Sequence, residues 1–211
     1  MFDVPMKLLV TSTILIGAIS GCAAQPISSQ CAHDRNAMLA LDERAFDQDL
    51  SNGGGGWRRI GNIPGCEAAA ADLIAAYAAA HPGSSTMLAW HEGQMRAGAG
   101  QYSRAIPLLQ AARKDPAMDR AGWNHYVDAT VAFLRRDMAA LAAARAKLQA
   151  VPYQPAEGLP PLTNGYVEFP AQPGQPAMRF RWPPNIEAVD GLIACFDKPY
   201  SEAYEQACRD K

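Results

Sequence analysis

The chain has no apolar run long enough to cross a bilayer, because a span needs about 20 consecutive apolar residues. The stretch from Leu8 to Ile19 falls short of that. It also lacks an excess of charge: 19 Lys and Arg against 21 Asp and Glu leave a formal charge of −2. Nucleic acid, which needs clustered cations to neutralise phosphate, is thereby excluded as a partner. The same balance gives no electrostatic reason to lie flat on anionic lipid. No Cys-x-x-Cys pair is present, and the cysteine spacings do not match a zinc site. The run Gly53 to Gly56 is not followed by Gly-Lys-Ser/Thr and no strand precedes it, so it reads as a loop rather than a phosphate cradle. His91-Glu92 lacks the second histidine that a zinc protease helix requires, since Met95 stands there. No serine sits in a nucleophile elbow. His33-Asp34 reads better as a helix cap than as an acid-base pair, and His125, between Trp123 and Tyr126, reads as a packed or partner-facing ring. These absences argue for a non-enzymatic chain without cofactor or metal.

The N-terminus is more informative. Lys7 is followed by the apolar stretch Leu8–Ile19 and then by Ser20-Gly21-Cys22. A positive residue, a short apolar core and small residues before a cleavage point make a secretory signal peptide. Met6-Lys7-Leu8-Leu9 is a more ordinary signal start than Met1-Phe2-Asp3-Val4-Pro5, which makes Met6 a second candidate for initiation. The small-small-Cys ending resembles the lipobox of bacterial lipoproteins. That resemblance implies a lipid-modified Cys22 as mature N-terminus and a protein anchored in the periplasm without a spanning helix. Ala23, rather than Asp, follows the cysteine, which in this family implies the outer membrane. Residues 1–21 are then the signal peptide and 22–33 a tether, and the 190 residues that remain after cleavage suffice for one domain with a real core or two small ones.

Besides Cys22 there are four cysteines, an even number that suits an oxidising compartment. They allow three pairings. Cys195 and Cys208, 13 apart and flanking Lys198-Pro199, suit a bridge that staples two short helices; elimination leaves Cys31 with Cys66. That second bridge works only if the loop 51–65 runs back along a first helix at 34–50. Sequence alone leaves the connectivity open.

Residues 34–152 read as a helical domain. Apolar positions recur at helical spacing from Asp34 to Leu50, and the glycine run ends that helix. Further helices are expected at 67–80, with Ala70, Leu73, Ile74 and Tyr77 on one face, and at 84–97, 102–114, 122–134 and 137–150. Gly93, Gly100, Tyr102, Ala105, Ala112 and Pro116 fall at the spacings of a tetratricopeptide repeat, and the chain resembles that family over roughly 67–152. Aligning Leu141 with Ala105 gives an offset of 36, and Ala129, Met138, Leu148 and Pro152 fill corresponding positions. Pro107 departs from the pattern, so a late helix start or a small kink is expected there. The resemblance implies stacked antiparallel helical hairpins whose concave side binds peptides or folded proteins. Carried over by register, Trp90, Gln94, Trp123, Tyr126 and Thr130 would line that side, the aromatics as interface anchors.

After Pro152 the composition changes. Residues 153–211 read as a Pro-rich linker, a β-hairpin with Val167, Phe169, Met178, Phe180 and Trp182 on one face, and a disulfide-stapled helical extension packed on the repeats. The expected whole is mainly α, a tetratricopeptide-like set of hairpins with a small C-terminal β-hairpin and two short helices. Its expected role is to bind a protein partner. An immunity lipoprotein against a periplasm-acting antibacterial effector, or a scaffold in envelope assembly or secretion, are the narrower alternatives.

Overall fold

Asp34 begins the ordered helices by accepting the Ala37 amide at 3.0 Å, the cap expected of it, and α1 runs from Arg35 to Leu39. The structure is a computed structural model that describes residues 29–51, 54–155, 158–171 and 177–210; the expected signal segment, Cys22 and most of the tether lie outside these. The single helix expected over 34–50 is broken. Asp42 accepts the Ala45 amide at 2.8 Å, recapping the chain, and the Tyr77 hydroxyl donates to the Leu41 carbonyl at 2.9 Å. A π-helical turn, Arg44–Gln48, follows. Its wider winding turns two adjacent side chains, Phe46 and Asp47, into the interior together.

The glycine run then presses on that turn. A Cβ on Gly55 would lie 2.4 Å from an Asp49 carboxylate oxygen, and one on Gly56, at φ +50°, 1.9 Å from the Phe46 carbonyl oxygen. Only glycine permits that approach. The loop carries α2, Arg58–Gly61, and returns along α1 to close Cys31–Cys66 with the Cα atoms 5.5 Å apart. The expected loop therefore contains a short helix and takes the course that bridge requires.

Five longer helices follow: α3 (Glu67–Ala80), α4 (Thr86–Gly98), α5 (Tyr102–Ala111), α6 (Trp123–Leu134) and α7 (Met138–Gln149). Consecutive helices pack side by side in antiparallel hairpins, α3 on α4, α4 on α5, α5 on α6 and α6 on α7. Ala70, Leu73, Ile74 and Tyr77 are all buried, as their spacing predicts. A Cβ on Gly93 would meet the Leu109 side chain at 2.8 Å, so the small residue lets α4 and α5 approach closely. Helix α5 starts at Tyr102 and continues through Pro107, so the late start is not what happens.

The C-terminal part holds a three-stranded antiparallel sheet rather than a lone hairpin. β1 (Leu162–Thr163) pairs with β2 (Tyr166–Phe169), and β2 pairs with β3 (Met178–Arg181). Val167 opposes Phe180 and Phe169 opposes Met178, so the expected apolar face exists, but only Val167 is fully covered. Helices α8 (Ile186–Ala194), α9 (Tyr200–Ala203) and α10 (Gln206–Arg209) complete the chain, with Cys195–Cys208 tying the end of α8 to α10. α8 packs on α6 and α7, and α9 on α4. Two apolar cores result. One gathers Phe46, Trp57, Ile60, Leu73, Tyr77 and Leu88; the other joins α4–α8 with Tyr200 and Ala203. The protein is thus mainly α with a small sheet, and among the described residues no helix is long and apolar enough to cross a membrane.

Candidate functional site

Four of the five residues expected to face a partner are packing residues here. Trp90, Tyr126 and Thr130 are buried and Trp123 is half-buried. Trp90 meets Trp123 edge-on at 4.7 Å between ring centroids and Tyr126 at 5.0 Å. The Trp123 indole N–H donates to the Ala112 carbonyl at 2.8 Å, and the Thr130 hydroxyl to the Tyr126 carbonyl at 3.0 Å. The cause is the C-terminal segment, which folds over the side of α4 and α6 that carries these residues. The Tyr126 and Tyr204 hydroxyls are 2.9 Å apart, and the Tyr200 amide donates to the Tyr102 hydroxyl at 3.1 Å. Burial first, then the neighbouring phenols, push Tyr126 and Tyr200 well above the ordinary tyrosine range. Both stay neutral hydrogen-bonding groups at any physiological pH.

Gln94 is the exception. Its amide donates to the Tyr200 hydroxyl at 3.5 Å, and it lies in the floor of an open groove of about 770 Å³. α4 supplies the floor through Gln94, Met95 and Gly98. One wall is the stretch from α2 into α3, with Gly61, Asn62, Pro64 and Glu67; the other is Tyr200 to Glu205. The floor is set by small residues: a Cβ on Gly61 would meet the Met95 sulfur at 2.9 Å, and one on Gly98 the Glu67 Cγ at 3.2 Å. The size is that of an ordinary ligand cleft. The C-terminal segment thus covers much of the side of α4 and α6 that carries Trp90 and Tyr126 and leaves this groove along its edge.

A second polar centre lies in the first core. The Asp47 carboxylate, 1% exposed, accepts the Trp57 indole N–H at 2.8 Å and the His91 Nδ1–H at 2.6 Å on one oxygen, and the Gln48 amide on the other. Arg58 donates to the Asp47 carbonyl, and its guanidinium lies 4.2 Å above the Trp57 ring. Burial alone would raise the Asp47 pKa, but the His91, Trp57 and Gln48 donors outweigh it and hold the carboxyl below its ordinary value. Burial lowers the Arg58 pKa, opposed by the Asp47 charge. An Asp–His couple orients imidazole in nucleophilic sites, yet among the described residues no serine, threonine or free cysteine is hydrogen-bonded to His91. The couple here ties the π turn to α4. Sequence reading passed over Asp47, Trp57 and Arg58, and weighed His91 only for a metal. No local signal joins Asp47 to a histidine 44 residues away, and nothing sets it apart from the other carboxylates of 34–50.

His33 and Asp34 are local: Asp34 caps α1, and His33 Nδ1 sits 3.0 Å from the Cys31 carbonyl. His125 Nδ1 is buried without a hydrogen-bond partner. The four cysteines form the two bridges that the spacing favoured. Among the described residues, no group of three or more His, Cys, Asp or Glu could hold a metal ion. No protein-family model, no curated protein and no solved structure matches the chain.

Proposed function

We propose that this chain is a non-enzymatic lipoprotein of the periplasm, anchored at the outer membrane through a lipid on Cys22, that captures a protein partner on its tetratricopeptide-like helical surface. The observation that carries the reading is the open groove of about 770 Å³ between the α2–α3 stretch and the stretch Tyr200 to Glu205, with Gln94 in its floor. The seven Cα–Cα steps from Cys22 to Ser29 can span at most about 25 Å. The Gln30 amide donates to the Pro64 carbonyl on the groove's rim at 3.4 Å. A lipid on Cys22 would therefore keep the groove close to the bilayer, where a partner in the envelope meets it.

Of the narrower readings, the immunity protein gains support from one feature. Cys31–Cys66 braces the wall that carries Pro64 and Glu67, and Cys195–Cys208 brackets the wall that carries Tyr200 and Tyr204. A preorganised groove loses little freedom on binding, and that favours the tight docking needed to silence an effector.

The test is a photo-crosslinking residue placed at the exposed Ser201 on the groove's edge, with a second at Lys147 on the outer face of α7 as control. A discrete adduct with one envelope or effector protein at position 201, and none at 147, is expected. Equal labelling at both positions would end the groove reading. For the anchor, Cys22→Ser is expected to move the protein from the membrane to the soluble periplasmic fraction; unchanged fractionation would refute lipidation.

A further inference from the structure

We infer that the groove receives a cationic segment of the partner, a stretch in which Lys or Arg alternates with apolar residues. This rests on the groove being the binding site. Three carboxylates, Glu67, Glu202 and Glu205, line it, and no Lys or Arg does. Several acids elsewhere have arginines: Asp72 and Glu92 share Arg96, Asp128 has Arg113, Glu168 has Arg179 and Asp190 has Arg145 and Arg181. Among the described residues neither Glu67 nor Glu205 forms an ion pair. Glu67 accepts only the exposed Gly65 amide at 3.2 Å, and Glu202 lies 4.0 Å from Lys198 with both side chains about half-exposed or more, a weak and solvent-screened pair.

The Arg209 guanidinium covers the Tyr204 ring at 4.5 Å and donates to the Tyr204 carbonyl at 2.7 Å, and it does not itself line the groove. Beside Gln94, the floor between the acids is apolar or without side chain, built from Met95 and Gly98 with Gly61 against them. A Lys or Arg side chain matches both parts. Its aliphatic stem lies on the apolar floor while its charged head reaches the carboxylates. Apolar residues on alternate positions would meet Pro64 and Tyr204 on the walls. Anionic lipid headgroups and acidic segments meet like charge here and are disfavoured.

Calorimetric titration of the detergent-solubilised full-length protein tests this with three probes. They are a twelve-residue peptide with Lys at alternate positions among Ala and Leu, the same peptide with Glu for Lys, and spermidine. The Lys peptide is expected to bind at least about tenfold tighter than either other probe. Its affinity is expected to fall about tenfold in Glu202→Lys/Glu205→Lys and to weaken as salt rises, as exposed charge pairing requires. Should the reversed variant fold poorly, Glu202→Gln/Glu205→Gln replaces it, with a smaller loss in the same direction. Equal binding of the two peptides, equal binding of spermidine, or indifference to the substitutions would overturn the inference. If the Lys peptide fails while crosslinking from position 201 still captures a partner, the cationic occupant is refuted and the groove stands. If the crosslink is lost as well, both fall.

Discussion

The two cores of this molecule are built on different physics. The second is conventional: α4–α8 bury Leu109, Phe133, Leu141, Leu148, Val189 and Leu192, and the polar groups buried on its helices include the Tyr126 phenol, Arg96, Asn124 and Thr130. The first has no long helix before α3. It is a π turn, a glycine loop and the single turn of α2, drawn around one buried carboxylate and closed by a disulfide. Regular helices satisfy their own backbone and need only apolar contact. An irregular segment needs side-chain hydrogen bonds to fix its course, and Asp47 supplies them.

Breaking that comparison begins with Asp47. Asp47→Ala is expected to destabilise by about 3–5 kcal/mol, because Arg58 loses its buried counter-charge and the His91 and Trp57 donors lose their acceptor. Denaturant unfolding followed by Trp57 fluorescence measures it; a loss under about 1 kcal/mol would mean that packing alone fixes the first core. Next come the bridges. Cys195→Ser/Cys208→Ser is expected to cost about 2–4 kcal/mol, and Cys31→Ser/Cys66→Ser somewhat more, since it frees the longer loop. The reverse order in thermal melts would show that the first core holds its loop without help.

A finer distinction lies in pH. The Asp47 carboxyl is held below its ordinary value of 3.8, so the stability it contributes is present above that value and is lost as pH falls through the depressed one. Tyr126 and Tyr200 are held above their ordinary value of 10.0, so their contribution is complete below that and declines as pH rises beyond it. Acid is expected to loosen the first core first and alkali the second. Fluorescence of a variant that keeps Trp57 as its one tryptophan, in acid, and phenolate absorbance, in alkali, report each. An acid response undiminished in Asp47→Asn would refute the assignment of the first. The smallest effect is expected at Leu50→Ser: that side chain is 73% exposed, and a change within about 0.5 kcal/mol in denaturant unfolding is anticipated.

The same contrast separates what was legible in the sequence from what was not. Helical periodicity located α3 to α7 and the buried face of α3, and the alternation of β2 and β3 located their shared apolar face, because those signals are local. The break at Asp42 and the π turn were hidden, since the helical pattern of 34–50 is intact and the chain departs from it to reach Tyr77 and Trp57. β1 did leave a signal. Asn164-Gly165, both at positive φ, is the preferred two-residue turn between β1 and β2, and it was passed over among the prolines. At the site, register placed Trp90, Gln94 and Tyr126 on one side of α4 and α6. It could not show that Tyr200, 106 residues beyond Gln94, returns to cover them.

The placement of the sulfurs has a bearing on the shape of the groove. α2, α9 and α10 are single turns of four residues, too short to hold their shape alone. While the thiols remain reduced, these flanks depend on their neighbours alone for position. Oxidation would sharpen the cleft on both sides at once, so that the reduced chain would carry a slack groove and the oxidised chain a taut one.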